Sequence, residues 1–479
     1  MSDAPRNLLM IVADQFRADL LTGALSGLVP THNLDRLAAQ SVRYLDHHTV
    51  VVPCGPSRAS LLTGLYAMNH GSVHNGTPLP RHFPTLASEL RKLGREPLLF
   101  GYTDTQPDPR GLHPSDPAHI SYTGPLPGFT EVQEMREEAW AWLAHLRAKG
   151  YDVPDADAED FLRLYRPEGG IDGAPALYRA EDSDTAFLTD RTLAELDIRK
   201  SRPWSALVTY IRPHPPFVAP APYHAAIAPD DVPAPCAAEY DHPFFDAFHS
   251  EPGQQDILWN FDGDQRAMTP EQVATARATY LGLVAELDHH IGRLLDWLEA
   301  TGQADDTLVV FTADHGEMLG DLGLWGKQTM FRQASHIPLM IRDPRRAPDE
   351  IAVTTQTIDV VPTILSRLGA QAPASMDGRD LDIVAQAGEG RAMIELELGA
   401  PDGEGRFERF TGRSRQACRA AVLQEGPWRF VHFGCGFVPM LFDTDEDPGC
   451  TRDRAGEMPE KVAGMQAALL DHRMAHATP

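Results

Sequence analysis

A cysteine, a serine and an arginine stand close together in Val52-Pro53-Cys54-Gly55-Pro56-Ser57-Arg58-Ala59-Ser60-Leu61-Leu62-Thr63-Gly64. Pro56 suits the first turn of a helix, where no backbone N–H is needed, and Ser57 to Leu65 can continue it. Cys54 then lies at the helix N-terminus, where free N–H groups and the helix dipole favour an anion. Arg58, one turn on, adds a fixed positive charge on the same side. Such a grouping could present a nucleophile to an anionic substrate. A buried structural cysteine at a helix start is the competing reading, and this stretch alone leaves both open.

The second set of candidates sits where short apolar runs end in polar residues. Asn7 to Ala13 reads as a buried strand tipped by Asp14 and Gln15. Leu98 to Phe100 runs into Gly101-Tyr102-Thr103-Asp104, and Ser205 to Tyr210 into Arg212-Pro213-His214-Pro215-Pro216. Thr307 to Ala313 is tipped by Asp314-His315-Gly316-Glu317, ahead of a glycine-rich stretch that holds Lys327. In open α/β sheets, ligands gather at the carboxyl ends of such strands. Asp14, Gln15, Asp314 and His315 therefore offer two carboxylates, an amide oxygen and an imidazole to one divalent cation. Such a donor set suits Mn²⁺ or Ca²⁺, and the histidine favours the transition metal. Asp14 could instead cap the next turn, and His214 could be a plain loop residue held stiff by its prolines. Asn75 lies in a polar, turn-rich segment from Asn69 to Gly76.

The elements between these tips are legible from caps and periodicity. Thr269-Pro270-Glu271-Gln272 is a capping box opening a long helix that ends at Gly302. Helices are also expected over 34–40, 85–93, 359–368 and from about Glu131 to Ala148. Alternating strands and helices imply an α/β fold with a mixed, mostly parallel central sheet flanked by helices, over residues 1–385. From about residue 390 the texture changes to short strands (392–396, 420–423, 428–433, 440–442) and a terminal helix near 459–475. Residues 386–479 are therefore expected to form a smaller α+β subdomain with an antiparallel sheet.

At 479 residues, 42% hydrophobic and 8% aromatic, the chain is expected to be globular. A net charge of −26 argues against nucleic acid and anionic membranes as partners. It also means that a site for anions must create its own positive field. The apolar run Leu8 to Ala13 is too short for a signal peptide or a membrane span, so cytoplasmic residence is expected. Five widely spaced cysteines, Cys54, Cys236, Cys418, Cys435 and Cys450, form neither a metal-finger pattern nor a disulfide framework.

Cys54, Pro56 and Arg58, with Ser57 and Leu62-Thr63-Gly64 in register, resemble the signature of the formylglycine-dependent type I sulfatases of the alkaline phosphatase superfamily. Asp14-Gln15, Gly64-Leu65-Tyr66, Met68-Asn69-His70, Gly101-Tyr102-Thr103, Arg212 to Val218 and Asp314-His315-Gly316-Glu317 resemble its phosphonate monoester hydrolase/phosphodiesterase branch in particular. Common arylsulfatases carry Asp-Asp and Asp-Asn where this chain has Asp14-Gln15 and Asp314-His315. The resemblance covers essentially the whole chain and implies an alkaline phosphatase-like fold. It implies that Cys54 is oxidised by a formylglycine-generating enzyme and that the hydrated aldehyde is the nucleophile.

The same resemblance implies metal ligation by Asp14, Gln15, Asp314 and His315, and a catalytic set of Cys54, Arg58, His214 and Lys327. Asn75, Tyr102 and Asp104 would meet the substrate. Asp104 departs from the branch, which has threonine there, and places a carboxylate near the pocket. The implied activity is hydrolysis of small singly charged phosphonate, phosphate-diester or sulfate esters, led by the phosphonate branch. An arylsulfatase is the alternative, and an anion- or metal-binding protein with unmodified Cys54 is the non-enzyme reading. A homo-oligomer, in the first instance a dimer, is expected because no long extension follows the terminal helix.

Overall fold

The computed structural model describes residues 4–119, 123–136, 139–153, 170–251, 264–388 and 390–477. Apolar runs bounded by turn residues become strands β1 (Asn7–Ala13), β2 (Val42–Tyr44), β3 (Val51–Val52), β4 (Pro97–Gly101), β5 (Thr130–Glu134), β6 (Ser205–Tyr210), β7 (Thr307–Ala313), β8 (Leu339–Arg342) and β9 (Asp349–Ile351). All of these but β3 form one eight-stranded sheet in the order β9-β2-β8-β7-β1-β6-β4-β5. The five strands from β7 to β5 run parallel, and β8 is antiparallel to both β7 and β2. The sheet is thus mixed and mostly parallel.

Helices α1 (Cys54–Thr63), α2 (Leu86–Lys92), α3 (Trp140–Ala148), α4 (Asp184–Arg199), α5 (Pro270–Ala300) and α6 (Val360–Arg367) flank it. The expected capping box opens α5, where Thr269 accepts from Gln272 N and Gln272 from Thr269 N. Every residue of β1 is buried, as a central strand covered on both faces requires. Leu9 and Ile11 join one core with α4 and α5, while Leu8, Met10 and Val12 join another with α1, α2 and α6.

The expected helix from about Glu131 is corrected at its start. Thr130–Glu134 is the edge strand β5, parallel to β4, and helix α3 begins at Trp140. Pairing along the open edge of the sheet outweighs the helix preference of the two glutamates.

Strands β10 (Arg391–Glu397), β11 (Arg419–Glu425), β12 (Trp428–Phe433) and β13 (Met440–Asp443) form an antiparallel sheet, covered in part by α7 (Pro459–His476). Strand β3 adds to this second sheet, with Val51 and Val52 opposite Glu395 and Leu396. The chain therefore enters Cys54 directly from a strand of the small sheet.

Candidate active site

Because β1, β4, β6 and β7 run parallel, their carboxyl ends open on one edge of the sheet. That edge brings together Asp14 and Gln15, Tyr102 to Asp104, Arg212 to His214, and Asp314 with His315. The N-terminus of α1 comes to the same edge and is tied there. Ser57 Oγ donates to the Asp314 carbonyl at 2.6 Å, and Gly55 N–H donates to Asn75 Oδ1 at 2.9 Å. A Cβ on Gly55 would lie 2.8 Å from the Asp104 carbonyl oxygen, so only glycine allows the helix start this close.

Asp14, Cys54, Asp314 and His315 each offer a ligand atom within 4.8 Å of the others, and all four are buried. His315 Nε2 lies 3.1 Å from Cys54 Sγ and 3.7 Å from Asp14 Oδ1. Its Nδ1–H donates to the Gly316 carbonyl at 3.0 Å, which leaves Nε2 as a bare lone pair turned into the cluster. Two carboxylates, a neutral imidazole and the adjoining Gln15 amide oxygen fit a divalent cation with mixed oxygen and nitrogen preference.

The charges around this cluster are strongly polarised. Burial opposes ionisation of Asp14, yet surrounding cations, Arg58 and Lys327 among them, hold its carboxyl well below the usual range. Burial, and then the Asp14 charge, push Asp314 up. Arg58 bridges the two, with Nε 2.8 Å from Asp314 Oδ2 and Nη2 3.1 Å from Asp14 Oδ2. Burial and Asp14 together hold the Cys54 thiol well above its ordinary value, so the chain's own charges favour the neutral thiol over the thiolate.

A cavity of about 910 Å³ leads to Cys54, with Gln15, Asn75, His214 and Lys327 on its wall. His214 Nδ1–H donates to the Pro215 carbonyl at 2.8 Å, so its bare Nε2 accepts from Lys327 Nζ at 2.9 Å. Burial and the Lys327 charge depress His214 to about 3. Lys327 is raised against its own burial by its side-chain hydrogen bond to Cys54 and by the Asp14 charge. The lysine is thus the charged member of this pair and the histidine its neutral acceptor. Tyr102 lies beneath the cluster: its hydroxyl donates to Asp14 and accepts from Arg58 Nη2 at 3.0 Å, and its ring lies 4.2 Å from the guanidinium carbon. Asp104 is buried, with φ of 48°, and its charge acts on Cys54 and Arg58.

Three further residues belong to this arrangement. Glu317 accepts from the Gln15 amide, and Tyr280 of α5 donates to the Gln15 carbonyl at 2.8 Å. Arg212, fully buried, donates from Nη1 to the His214 and Pro216 carbonyls at 3.0 Å each, and its Nη2 lies 2.9 Å from Asp184 Oδ2. Glu317 had a visible signal, its place in the Asp-His-Gly-Glu segment. Tyr280 had none, being one aromatic among the buried residues of a 31-residue helix.

Comparison with known proteins bears on the same arrangement. A family model described as sulfatase matches residues 6–370. The chain is 35% identical to the multifunctional alkaline phosphatase superfamily protein PehA of Trinickia caryophylli, over 98% of this chain and 96% of that one. It superposes on the phosphonate monoester hydrolase of Silicibacter pomeroyi with a TM-score of 0.88 and 41% identity, covering 98% of this chain and 95% of that one. For the phosphonate monoester hydrolase of Agrobacterium radiobacter the TM-score is 0.90 at 35% identity, with 98% and 96% covered.

Proposed function

The chain belongs to the sulfatase family of hydrolases, and we propose that it cleaves singly charged phosphonate monoesters and phosphodiesters, taking sulfate monoesters as weaker substrates. The observation that carries this reading is the donor set itself. Gln15 and His315 stand beside Asp14 and Asp314, where common arylsulfatases have a second carboxylate and an asparagine. The likeness to two phosphonate monoester hydrolases supports the same choice.

A divalent cation held by Asp14, Gln15, Asp314 and His315, Mn²⁺ in the first instance, supplies Lewis-acid polarisation, and a formylglycine made from Cys54 supplies a hydrated aldehyde as nucleophile. Arg58, anchored by Asp14, Asp314 and Tyr102, keeps a fixed positive charge beside the nucleophile's position. Asn75 accepts from Gly55 N–H at its Oδ1 and lines the cavity, so its Nδ2–H groups are the ones that would donate to a non-bridging oxygen of the substrate. Lys327 offsets charge on the same oxygens and on the departing alcohol. His214, neutral and accepting, holds the ammonium in that direction. Tyr102 acts through Asp14 and Arg58, and Asp104 adds a negative charge that is felt at Cys54.

The test is kcat/KM for two aryl esters with one shared leaving group, a phenylphosphonate monoester and a sulfate monoester. The protein is co-produced with a formylglycine-generating enzyme and loaded with Mn²⁺. At least a tenfold preference for the phosphonate, about 1.4 kcal/mol of barrier, is expected. A sulfate preference would make this an arylsulfatase. Cys54→Ala should abolish turnover, and Cys54→Ser, with a single hydroxyl, should give at most one turnover per site in a burst. Mass spectrometry of the peptide from Tyr44 to Arg58 should show the Cys-to-formylglycine mass change.

A further inference from the structure

We propose that Glu317 is a positioning residue that locks the Gln15 amide with its oxygen towards the metal site. The inference rests on reading Asp14, Gln15, Asp314 and His315 as metal ligands. A glutamine side chain ends in two groups of nearly equal size, and only the oxygen can ligate a cation. Which end faces the site must therefore be decided by the neighbours.

Those neighbours leave one answer. Lys327 Nζ lies 3.0 Å from Gln15 Oε1. An ammonium only donates, so the atom facing it must be the amide oxygen. On the other side Glu317 Oε2 accepts from Gln15 Nε2. The carboxylate has no freedom to turn, because its Oε1 accepts from Leu319 N–H at 3.0 Å and Gly326 N–H at 2.7 Å. Glu317 is fully buried, which shields these bonds from bulk water.

The Gln15 backbone is held just as firmly. Its φ of 69° is left-handed, its N–H donates to Asp314 Oδ1 at 3.1 Å, and its carbonyl accepts from Tyr280 Oη at 2.8 Å. Glu317 thus does for an amide ligand what a carbonyl or carboxylate partner does for a metal-bound histidine: it selects the ligating end and its direction.

The test is isothermal titration of the full chain with MnCl₂, for the wild type, Glu317→Gln, and the double variant Gln15→Glu/Glu317→Gln, with far-UV circular dichroism confirming the fold. In Glu317→Gln the new side-chain oxygen keeps the two backbone N–H groups and its NH₂ faces residue 15, drawing the Gln15 oxygen away from the site. Mn²⁺ affinity should fall about 10–100-fold. In the double variant a carboxylate at position 15 accepts from that NH₂, and affinity should return to within about tenfold of the wild type. Wild-type affinity in Glu317→Gln overturns the inference, and so does a folded double variant as weak as the single one. Should Glu317→Gln fail to fold, the double variant decides alone: Mn²⁺ binding supports the inference and its loss overturns it. A wild type that binds no Mn²⁺ removes the ligand reading itself, and the role of Glu317 with it.

Discussion

Asp104 is where this chain departs from the phosphonate branch it resembles, and its surroundings say what the change does. Its carbonyl oxygen packs against Gly55, and its carboxylate adds a smaller push to shifts set mainly by burial and Asp14 at Cys54, and by Tyr102, Asp314 and Asp14 against burial at Arg58. On the proposed reading, an ionised carboxylate there would disfavour a second charge on the substrate. Asp104→Thr should raise kcat/KM for a dianionic phosphate monoester about tenfold relative to the phosphonate monoester, ~1.4 kcal/mol. An unchanged ratio would remove Asp104 from specificity. Asp14, Gln15, Asp314 and His315 were legible as candidates because a polar residue ending an apolar run is a local pattern. Tyr102 was equally visible as a residue, but its hydroxyl is committed to Asp14 and Arg58, and strand spacing cannot show which way a side chain turns. Another local commitment belongs to His70: its Nδ1 accepts from Ser72 N–H at 3.0 Å, so its Nε2–H donates to Ser60 of α1 at 2.9 Å.

At the scale of elements, the loop carrying His214 shows how a strand tip beside the candidate site is tied down. Arg212 sits between Asp184 at the start of α4 and two carbonyls of the proline-rich turn. Arg212→Gln leaves the Asp184 carboxylate buried without its cation, and should cost roughly 3–5 kcal/mol in urea unfolding. A loss below about 1 kcal/mol would show that the prolines alone hold the turn. The prolines themselves were readable in the chain. The buried ion pair joins residues 28 positions apart across two elements, and no local pattern announces it. Strand β5 teaches the same lesson, since only its place beside β4 makes a glutamate-rich segment a strand.

Across the whole molecule, stability should depend on keeping buried histidines neutral. Burial depresses His47, His70 and His290 to about 3 from an ordinary 6.5. As pH falls below 6.5 the unfolded chain takes up protons at these positions and the folded one does not. Stability fully present above 6.5 is therefore lost progressively between pH 6.5 and 3. At pH 5 each contributes a loss of about 2 kcal/mol. Urea midpoints at pH 7 and pH 5 should diverge, and His70→Gln should shrink the divergence by one histidine's share. Equal divergence in that variant would count against the buried-neutral state of His70.

The small sheet makes a second demand at this scale. Ending the chain at residue 385 strips β10 from β3 and exposes the core that Val52 shares with Ile394, Val422 and Phe433. Such a protein should fail to give a cooperative thermal transition; a sharp one would show that residues 1–385 fold alone.

The order of residues in this chain specifies the Cys54 motif, the apolar strands with their polar tips, the capping box of α5 and the change of texture near residue 390, because each is written along one continuous stretch of the chain. Tertiary structure decides the rest. It aligns four strand ends on one edge, carries β3 into the second sheet, turns Tyr102 beneath the cluster and sets Glu317 and Lys327 on either side of one amide. Those contacts join residues up to 344 positions apart, and their energy depends on burial and direction, which exist only once the sheet has formed.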